Sequence, residues 1–200
     1  MKKMSSKKGI LEVICGPMFS GKSEELIRRL NRSKIARKNI AVFKHTFDDR
    51  TAKEHVASHN GTTIHAVAID DPVLIWESVT PDVQVVGIDE TQFFSHEIIT
   101  VVLDLVDTGK SVIAAGLNLD YRGIPFGPMP TLIAMADQVS KLSAICLVCG
   151  EDAHFSQRTI NGNPAKYDDP IIQVGAQEYY QARCRTCFIV DRKPLWQKTL

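Results

Sequence analysis

The stretch Gly16–Ser23, which reads GPMFSGKS, decides the fold because it matches the phosphate-loop pattern G-x-x-x-x-G-K-[ST]. An apolar run, Ile10–Cys15, precedes it and predicts a buried strand, and the segment Lys22–Lys38, which has no Gly or Pro, predicts a helix. Strand and helix are the context that a phosphate loop needs, since its glycines let backbone N–H groups face one phosphate where a helix begins. We expect Lys22 to reach the β- and γ-phosphates and the Ser23 hydroxyl to ligate Mg²⁺. The alternative is a chance match in a Gly-rich turn.

Further along the chain, Val85–Glu90 (VVGIDE) predicts an apolar strand that ends in two carboxylates. In phosphate-loop proteins an Asp at this strand end holds Mg²⁺, and Asp89 fits that role. Glu90 is then free to act as a general base or to position a nucleophile. Two acidic residues after a strand are, taken alone, most often a solvated strand end. Together with the phosphate loop they predict a magnesium–nucleotide site.

The other segments alternate between strand and helix patterns, which predicts a parallel sheet with crossover helices. The predicted strands are Ile40–Lys44, Thr62–Ile69, Val83–Ile88 and Ser111–Leu117. The predicted helices are Pro72–Val79, His96–Val106 and Thr131–Asp137, and the predicted loops are His45–Gly61 and Tyr121–Pro130.

Two cysteine pairs, Cys146 with Cys149 and Cys184 with Cys187, have the C-x₂-C spacing of zinc knuckles. Four thiolates suit tetrahedral Zn²⁺ and leave no open position, so the pattern predicts one structural zinc per chain. That zinc would join the two ends of a long excursion, residues 150–183. The alternatives are four buried free cysteines or a redox-active pair.

The pattern of the chain changes near residue 143, where long alternating elements give way to short strands and cysteine pairs. We therefore predict an α/β fold, a phosphate-loop NTPase-like parallel sheet with flanking helices, plus a small C-terminal zinc-ribbon domain. The predicted divisions are a basic tail at 1–9, a nucleotide-binding domain at 10–143, a zinc-ribbon domain with a substrate-covering loop at 144–191, and a C-terminal tail at 192–200.

The composition is ordinary for a globular protein: 200 residues, 44% hydrophobic and 24% charged. The 24 Lys and Arg residues nearly balance the 23 Asp and Glu residues, which argues against a strongly basic nucleic-acid-binding protein. No stretch reaches the roughly 18 apolar residues of a membrane span, so no membrane partner is expected. We expect a cytoplasmic protein, in which the cysteines stay reduced.

At the level of motifs, the sequence resembles the thymidine kinase family of the tetrameric, zinc-ribbon class. The resemblance rests on GPMFSGKS at Gly16–Ser23, DETQFF at Asp89–Phe94, AAGLNLDYRGIPFG from Ala114, the two C-x₂-C pairs and Val174–Arg183. It covers roughly residues 10–188. Tyr121 stands where some members of the family carry Phe.

The resemblance implies an enzyme that transfers the γ-phosphate of ATP, bound with Mg²⁺, to the 5′-hydroxyl of deoxythymidine, with Glu90 as the catalytic base. It also implies a homotetramer, feedback inhibition by dTTP, and a phosphate contact from Arg50. The expected ATP-binding residues are Gly16, Pro17, Met18, Phe19, Ser20, Gly21, Lys22, Ser23, Arg50, Asp89, Glu90, Thr91 and Gln92. The expected nucleoside-binding residues are Met18, Gln92, Phe93, Leu117, Tyr121, Phe126, Ser156, Ile171, Ile172, Gln173, Val174, Gly175 and Tyr180.

Two other functions stay open at this stage. The first is a nucleic-acid-stimulated ATPase in which Glu90 activates water and the zinc module binds nucleic acid; residues 146–200, with 7 basic against 6 acidic residues, do not favour it. The second is a zinc-ribbon binding module with a nucleotide-sensing phosphate loop. A guanine-specific switch would usually carry an N-K-x-D stretch, which the sequence lacks.

Overall fold

A computed structural model describes residues 8–47, 55–57, 63–171 and 178–191 of the chain. Its strands are β1 Leu11–Cys15, β2 Ile40–His45, β3 His55–Ala57, β4 Thr63–His65, β5 Val67–Ile69, β6 Val85–Asp89, β7 Ser111–Gly116, β8 Gln138–Lys141, β9 Ala144–Ile145, β10 Asp152–Ala153, β11 Phe155–Ile160, β12 Asn163–Pro164 and β13 Glu178–Arg183. Its helices are α1 Lys22–Ile35, α2 Pro72–Ser78, α3 Glu97–Asp107 and α4 Met129–Met135, with a 3₁₀ turn at Thr91–Phe93.

Six strands form one parallel sheet in the order β5-β2-β6-β7-β1-β8. The first strand lies inside this sheet, where Leu11 pairs with Val112 of β7 and Glu12 pairs with Gln138 of β8. All the strands point the same way, so their carboxyl ends meet at one edge, where ligands bind in open α/β sheets. The predicted α/β parallel fold is therefore confirmed.

Both faces of the sheet are covered, as a parallel sheet requires. On one face, α2, α3 and α4 pack through residues such as Ile75, Ile98 and Leu132. On the other face, α1 packs through Leu26 and Leu30 together with the β3–β4 hairpin. The approach of α1 depends on Gly87 in β6, since a Cβ there would lie 2.7 Å from Leu30 Cδ1.

Helix α1 begins after Gly21, whose left-handed backbone (φ 81°) favours glycine. Its first turn carries Glu24 and Glu25 and its last turn Arg32 and Lys34, which suits the helix dipole. The helix ends at Ile35, earlier than the predicted Lys38, because the chain turns at Arg37 with a positive φ of 59°.

The predicted strand Thr62–Ile69 is wrong, since the chain divides there into two strands. Thr63–His65 pairs with His55–Ala57 in an antiparallel hairpin, whereas Val67–Ile69 joins the edge of the main sheet. The predicted loop His45–Gly61 is wrong at His45, which ends β2, and at His55–Ala57, which forms β3. Residues 62–69 are rich in apolar side chains throughout, so the sequence did not indicate that the two halves of this segment pair with different strands.

Two further corrections concern the end of the main sheet. Helix α4 begins at Met129 instead of the predicted Thr131 and ends at Met135, so it takes two residues of the predicted loop Tyr121–Pro130. The next segment, Gln138–Lys141, forms β8 at the sheet edge and was not predicted. Its side chains are largely exposed, so it lacks the apolar pattern that identifies a buried strand.

The C-terminal part, β9 to β13, contains a two-stranded sheet, β10-β9, and a three-stranded antiparallel sheet, β12-β11-β13. We call this part the C-terminal module. Small side chains and cysteines form its core: Ala144, Ala153 and Ala182 pack with Cys146 and Cys184. The predicted domain divisions stay a prediction. Within the described ranges, every helix is too short or too polar to cross a membrane.

Candidate functional site

The phosphate loop connects β1 to α1 and folds around the carbonyl group of Pro17. Lys22 Nζ donates a hydrogen bond of 2.7 Å to this oxygen, and Ser20 Oγ donates another of 2.8 Å. The chain turns through left-handed conformations at Phe19 (φ 67°) and Gly21 (φ 81°). Lys22 is buried although charged, so its ammonium group is held inside the loop, where a phosphate would meet it.

Asp89 ends β6 and Glu90 follows it at the same edge of the sheet, and only β7 separates β6 from β1, the strand that leads into the loop. Both are buried, and Asp89 Oδ1 accepts a hydrogen bond of 2.9 Å from the Glu90 backbone N–H. Glu90 has a left-handed backbone (φ 51°, ψ 39°), which is unusual for a residue with a side chain. Strain of this kind concentrates at functional sites, where it gives a side chain a direction that regular structure would not.

Gln92 connects Glu90 to the end of β7. Its Nε2 donates to Glu90 Oε2 at 2.5 Å, and its Oε1 accepts from the Leu117 backbone N–H at 2.9 Å. Two glycines make room for it: a Cβ at Gly116 would lie 2.6 Å from Gln92 Oε1, and one at Gly127 would lie 2.3 Å from the Gln92 carbonyl oxygen. Gln92 thus holds the Glu90 carboxylate in one orientation.

An aromatic cluster lies beside these carboxylates. Phe93 and Phe126 meet edge to face with ring centroids 5.7 Å apart. His45 stacks on Phe47 at 4.9 Å and meets the ring of Phe94 edge-on at 4.8 Å. Phe93 and Phe126 remain partly exposed, so their rings form an apolar surface at the carboxyl edge of the sheet, which we call the aromatic wall.

His45 and Phe47 were not among the predicted site residues. Burial lowers the pKa of His45, with the charges of Asp70 and Glu90 opposing the shift. Its Nδ1 accepts a hydrogen bond of 3.1 Å from the Phe47 N–H, so the neutral ring carries its proton on Nε2. Their position at the carboxyl end of β2, the neighbour of β6, was the signal that could have identified them.

Lys44 is a third residue that sequence reasoning missed. It is fully buried at the end of β2, where it stands opposite Asp89 in the parallel register. A buried lysine normally has a charged or hydrogen-bonding partner. The carboxyl edge therefore gathers two buried lysines, Lys22 and Lys44, near two buried carboxylates.

The C-terminal module reaches the phosphate loop through Ser156 of β11. Its Oγ accepts a hydrogen bond of 2.9 Å from the Met18 backbone N–H. Both residues were predicted to contact the nucleoside, and the structure brings them together at the opening of the loop. Leu117, another predicted nucleoside contact, lies just after β7, where its backbone N–H donates to Gln92 Oε1.

The other predicted site residues are more dispersed. Tyr121 is buried, and its hydroxyl contacts the turn 166–169. Ile171 is exposed just after that turn, Tyr180 lies half-buried on β13, and Ser23 and Thr91 lie beside Lys22 and Glu90. Predicted residues outside the described ranges are Arg50, Ile172, Gln173, Val174 and Gly175.

The four predicted zinc ligands form one cluster. Each of Cys146, Cys149, Cys184 and Cys187 offers a sulfur, and these sulfurs all lie within 4.8 Å of one another. Tetrahedral zinc with Zn–S bonds of about 2.3 Å separates its sulfurs by about 3.8 Å, and the Cys149 and Cys184 sulfurs lie 3.6 Å apart. Thiol chemistry and spacing both fit a structural zinc.

The surroundings of Cys146 favour the thiolate that zinc requires. Burial by itself would raise the pKa of this thiol, but backbone N–H groups of Cys184, Val148 and Cys149 outweigh it and lower the pKa to about 6. Hydrogen bonds of this kind are typical support for a metal-bound sulfur. Hydrogen bonds with the neighbouring thiols raise the pKa of Cys187 to about 12, so without a metal the cluster favours one thiolate surrounded by thiols. Cys15, by contrast, is buried in the main core, where burial raises its pKa.

One edge of the sheet thus presents a phosphate loop, two buried carboxylates and the aromatic wall. The loop can bind a nucleotide, the aromatic wall can bind a second, partly aromatic ligand beside it, and a carboxylate can remove a proton from that second ligand. A comparison with protein families agrees with this chemistry. The family model described as "Thymidine kinase" matches residues 9–188.

Proposed function

The chain belongs to the thymidine kinase family and is a nucleoside kinase, and we propose that it transfers the γ-phosphoryl group of ATP to the 5′-hydroxyl of deoxythymidine, giving dTMP and ADP. The observation that carries this proposal is the Glu90 carboxylate, buried and held by Gln92 at the edge of the sheet that also presents the phosphate loop. A general base must be oriented toward the hydroxyl that it deprotonates, and Gln92 supplies that orientation.

The nucleotide would bind in the loop Gly16–Ser23, whose N–H groups and helix terminus attract phosphate. Lys22 would exchange the Pro17 carbonyl oxygen for phosphate oxygens, which are stronger acceptors because they are charged. The Ser23 hydroxyl and the Asp89 carboxylate are the hard oxygen donors that Mg²⁺ prefers. The ion would neutralise charge that develops on the phosphates.

The chemical step then needs little from the protein beyond positioning. Glu90 accepts the proton of the 5′-hydroxyl, the 5′-oxygen forms a bond to the γ-phosphorus, and the bond to the bridging oxygen breaks so that ADP leaves. Lys22 and the loop amides stabilise the negative charge on the transferring group. The aromatic wall keeps water, the competing acceptor, away from Glu90.

The nucleoside would lie between the aromatic wall and the C-terminal module. Phe93 and Phe126 supply the apolar surface, and Ser156 supplies a hydroxyl next to Met18. Backbone groups of 171–175 would contact the thymine edge, as the family resemblance implies. Homotetramer formation, inhibition by dTTP and a cytoplasmic location are proposals that rest on the same resemblance.

A panel of nucleosides incubated with MgATP tests the proposal, with the monophosphate product measured by chromatography. We expect dTMP as the main product and no ADP release without a nucleoside. ADP release that depends on DNA instead would favour a nucleic-acid-stimulated ATPase. ATP binding without turnover on any nucleoside would favour a nucleotide-sensing binding module.

A further inference from the structure

We propose that Tyr121 and Arg158 clamp the turn 166–171 and thereby act as positioning residues for nucleoside binding, an inference that rests on the function proposed above. Tyr121 comes from the loop after β7, whereas Arg158 belongs to β11 of the C-terminal module. The clamped turn ends at Ile171, which is the first residue of the segment proposed to meet the nucleobase.

The Tyr121 hydroxyl is the centre of three converging carbonyl groups. It donates to the Asp169 carbonyl oxygen at 2.5 Å, and the carbonyl oxygens of Lys166 and Tyr167 lie 3.1 and 3.4 Å away. The turn also bonds to itself, since the Lys166 N–H donates to Asp169 Oδ2 at 2.8 Å. A side chain that is only a hydrophobic surface would not need this arrangement of polar groups.

Arg158 holds the other end of the same turn. Its side chain is fully buried, and its Nη1 donates to the Pro170 carbonyl oxygen at 2.5 Å. Its guanidinium carbon lies 4.7 Å from the centroid of the Tyr121 ring, which is a cation–π distance. One buried cation thus contacts both the tyrosine ring and the backbone of the turn, and these contacts offset part of the cost of its burial.

The clamp and the phosphate-loop contact arise from one strand. Ser156 and Arg158 are two residues apart on β11, so their side chains share a face of the sheet. Ser156 bonds to the Met18 N–H, whereas Arg158 bonds to the turn. Because the two contacts involve different atoms, losing the clamp should weaken nucleoside binding and leave nucleotide binding intact.

The test is Tyr121→Phe, which keeps the ring over Arg158 and removes only the hydroxyl. Losing one hydrogen bond of ordinary strength should raise the KM for thymidine about five- to tenfold, while kcat and the KM for ATP change by less than about twofold. The matched control is Tyr167→Phe in the same turn: its hydroxyl has no hydrogen-bond partner among residues that the structure describes, so no change is expected.

Hydrogen exchange by mass spectrometry supplies a second measurement that does not depend on catalysis. Peptides that cover 166–171 should exchange faster in Tyr121→Phe than in the wild type, and those of the control should not. An unchanged thymidine KM together with unchanged exchange would overturn the clamp. A parallel loss of kcat and of both substrates' affinities would overturn the positioning role, because it would indicate general destabilisation. If the wild type fails to phosphorylate thymidine, the proposed function fails, and the exchange comparison still decides the clamp.

Discussion

The side-chain amide of Gln92 donates to Glu90 Oε2 at 2.5 Å, while its carbonyl end accepts from the Leu117 backbone N–H at 2.9 Å. The Leu117 N–H can only donate, so the amide cannot reverse its two ends, and the N–H₂ group must face Glu90. The orientation of the proposed base is therefore fixed from the end of the neighbouring strand.

Replacing this amide by a carboxylate, in Gln92→Glu, should impair the base without removing it. The new carboxylate can still accept from Leu117, but it places a second negative charge beside Glu90 and raises the pKa of the pair. We expect kcat at neutral pH to fall by about one to two orders of magnitude. The acid limb of the pH–rate profile should move to higher pH. An unmoved acid limb would show that Gln92 does not control Glu90.

Glu90→Gln replaces the carboxylate by an amide of nearly the same shape, which cannot accept a proton as a general base. We expect kcat to fall by roughly two to four orders of magnitude, the usual contribution of a positioned base, while ATP binding measured by calorimetry stays close to that of the wild type. The exposed Glu97→Gln, at the start of α3, is the control and should turn over normally. Near-normal turnover in Glu90→Gln would remove Glu90 from the mechanism.

Cys184→Ser should remove the zinc and loosen the C-terminal module. Metal analysis should give about one zinc per chain in the wild type and much less in the variant, with lower thermal stability. Thymidine binding should weaken more than MgATP binding, because the phosphate loop and Asp89 lie outside the module. Cys15→Ala, a change in the main core, should keep its zinc. Zinc-free protein with unchanged affinity for thymidine would contradict this prediction.

His45 should make the fold less stable in mild acid. Burial lowers its pKa in the folded state, so below about pH 6.5, the pKa of an unfolded histidine, the unfolded chain binds a proton that the folded chain resists. The free energy of unfolding attributable to His45 is present above pH 6.5 and declines as the pH falls from 6.5 toward the folded pKa.

Denaturant unfolding at pH 7.5 and 5.5 measures this decline. His45→Asn, which keeps an acceptor for the Phe47 N–H and cannot be protonated, should lose less stability between these two pH values than the wild type does. His154→Gln, at an exposed position, should follow the wild type. If the free energy of unfolding depends on pH in the same way in all three proteins, His45 does not cause the loss of stability in mild acid.

Much of the fold was predictable because its signals are local. The phosphate loop, the apolar strand that ends at Asp89 and the cysteine pairs are each short, contiguous patterns. The exposed edge strand Gln138–Lys141 was not predictable, since its place depends on pairing with β1, which is distant from it in the sequence.

The details of the site depend even more on distant contacts. Nothing in the sequence near Gln92 shows that its amide spans from Glu90 to Leu117, and nothing near Tyr121 shows that its hydroxyl contacts Asp169. His45 lay in a predicted loop, so its burial against Phe94 could not be anticipated. Residue types at a site can be read from motifs, whereas the partners that orient them come from tertiary packing.

The position of β1 between β7 and β8 also determines when the protein can first function. Translation makes Leu11–Cys15 well before its partner strands, which contain Val112 and Gln138 and emerge from the ribosome later. Until then the apolar strand has no place in a sheet, and a nascent chain must keep it from aggregating. The phosphate loop directly follows that strand in the chain, so its position depends on the strand. A chain that has been synthesised only up to Ser111 therefore has Gly16–Ser23, Asp89 and Glu90 but neither of the strands that pair with β1, so ATP binding should appear only after β7 and β8 have been made.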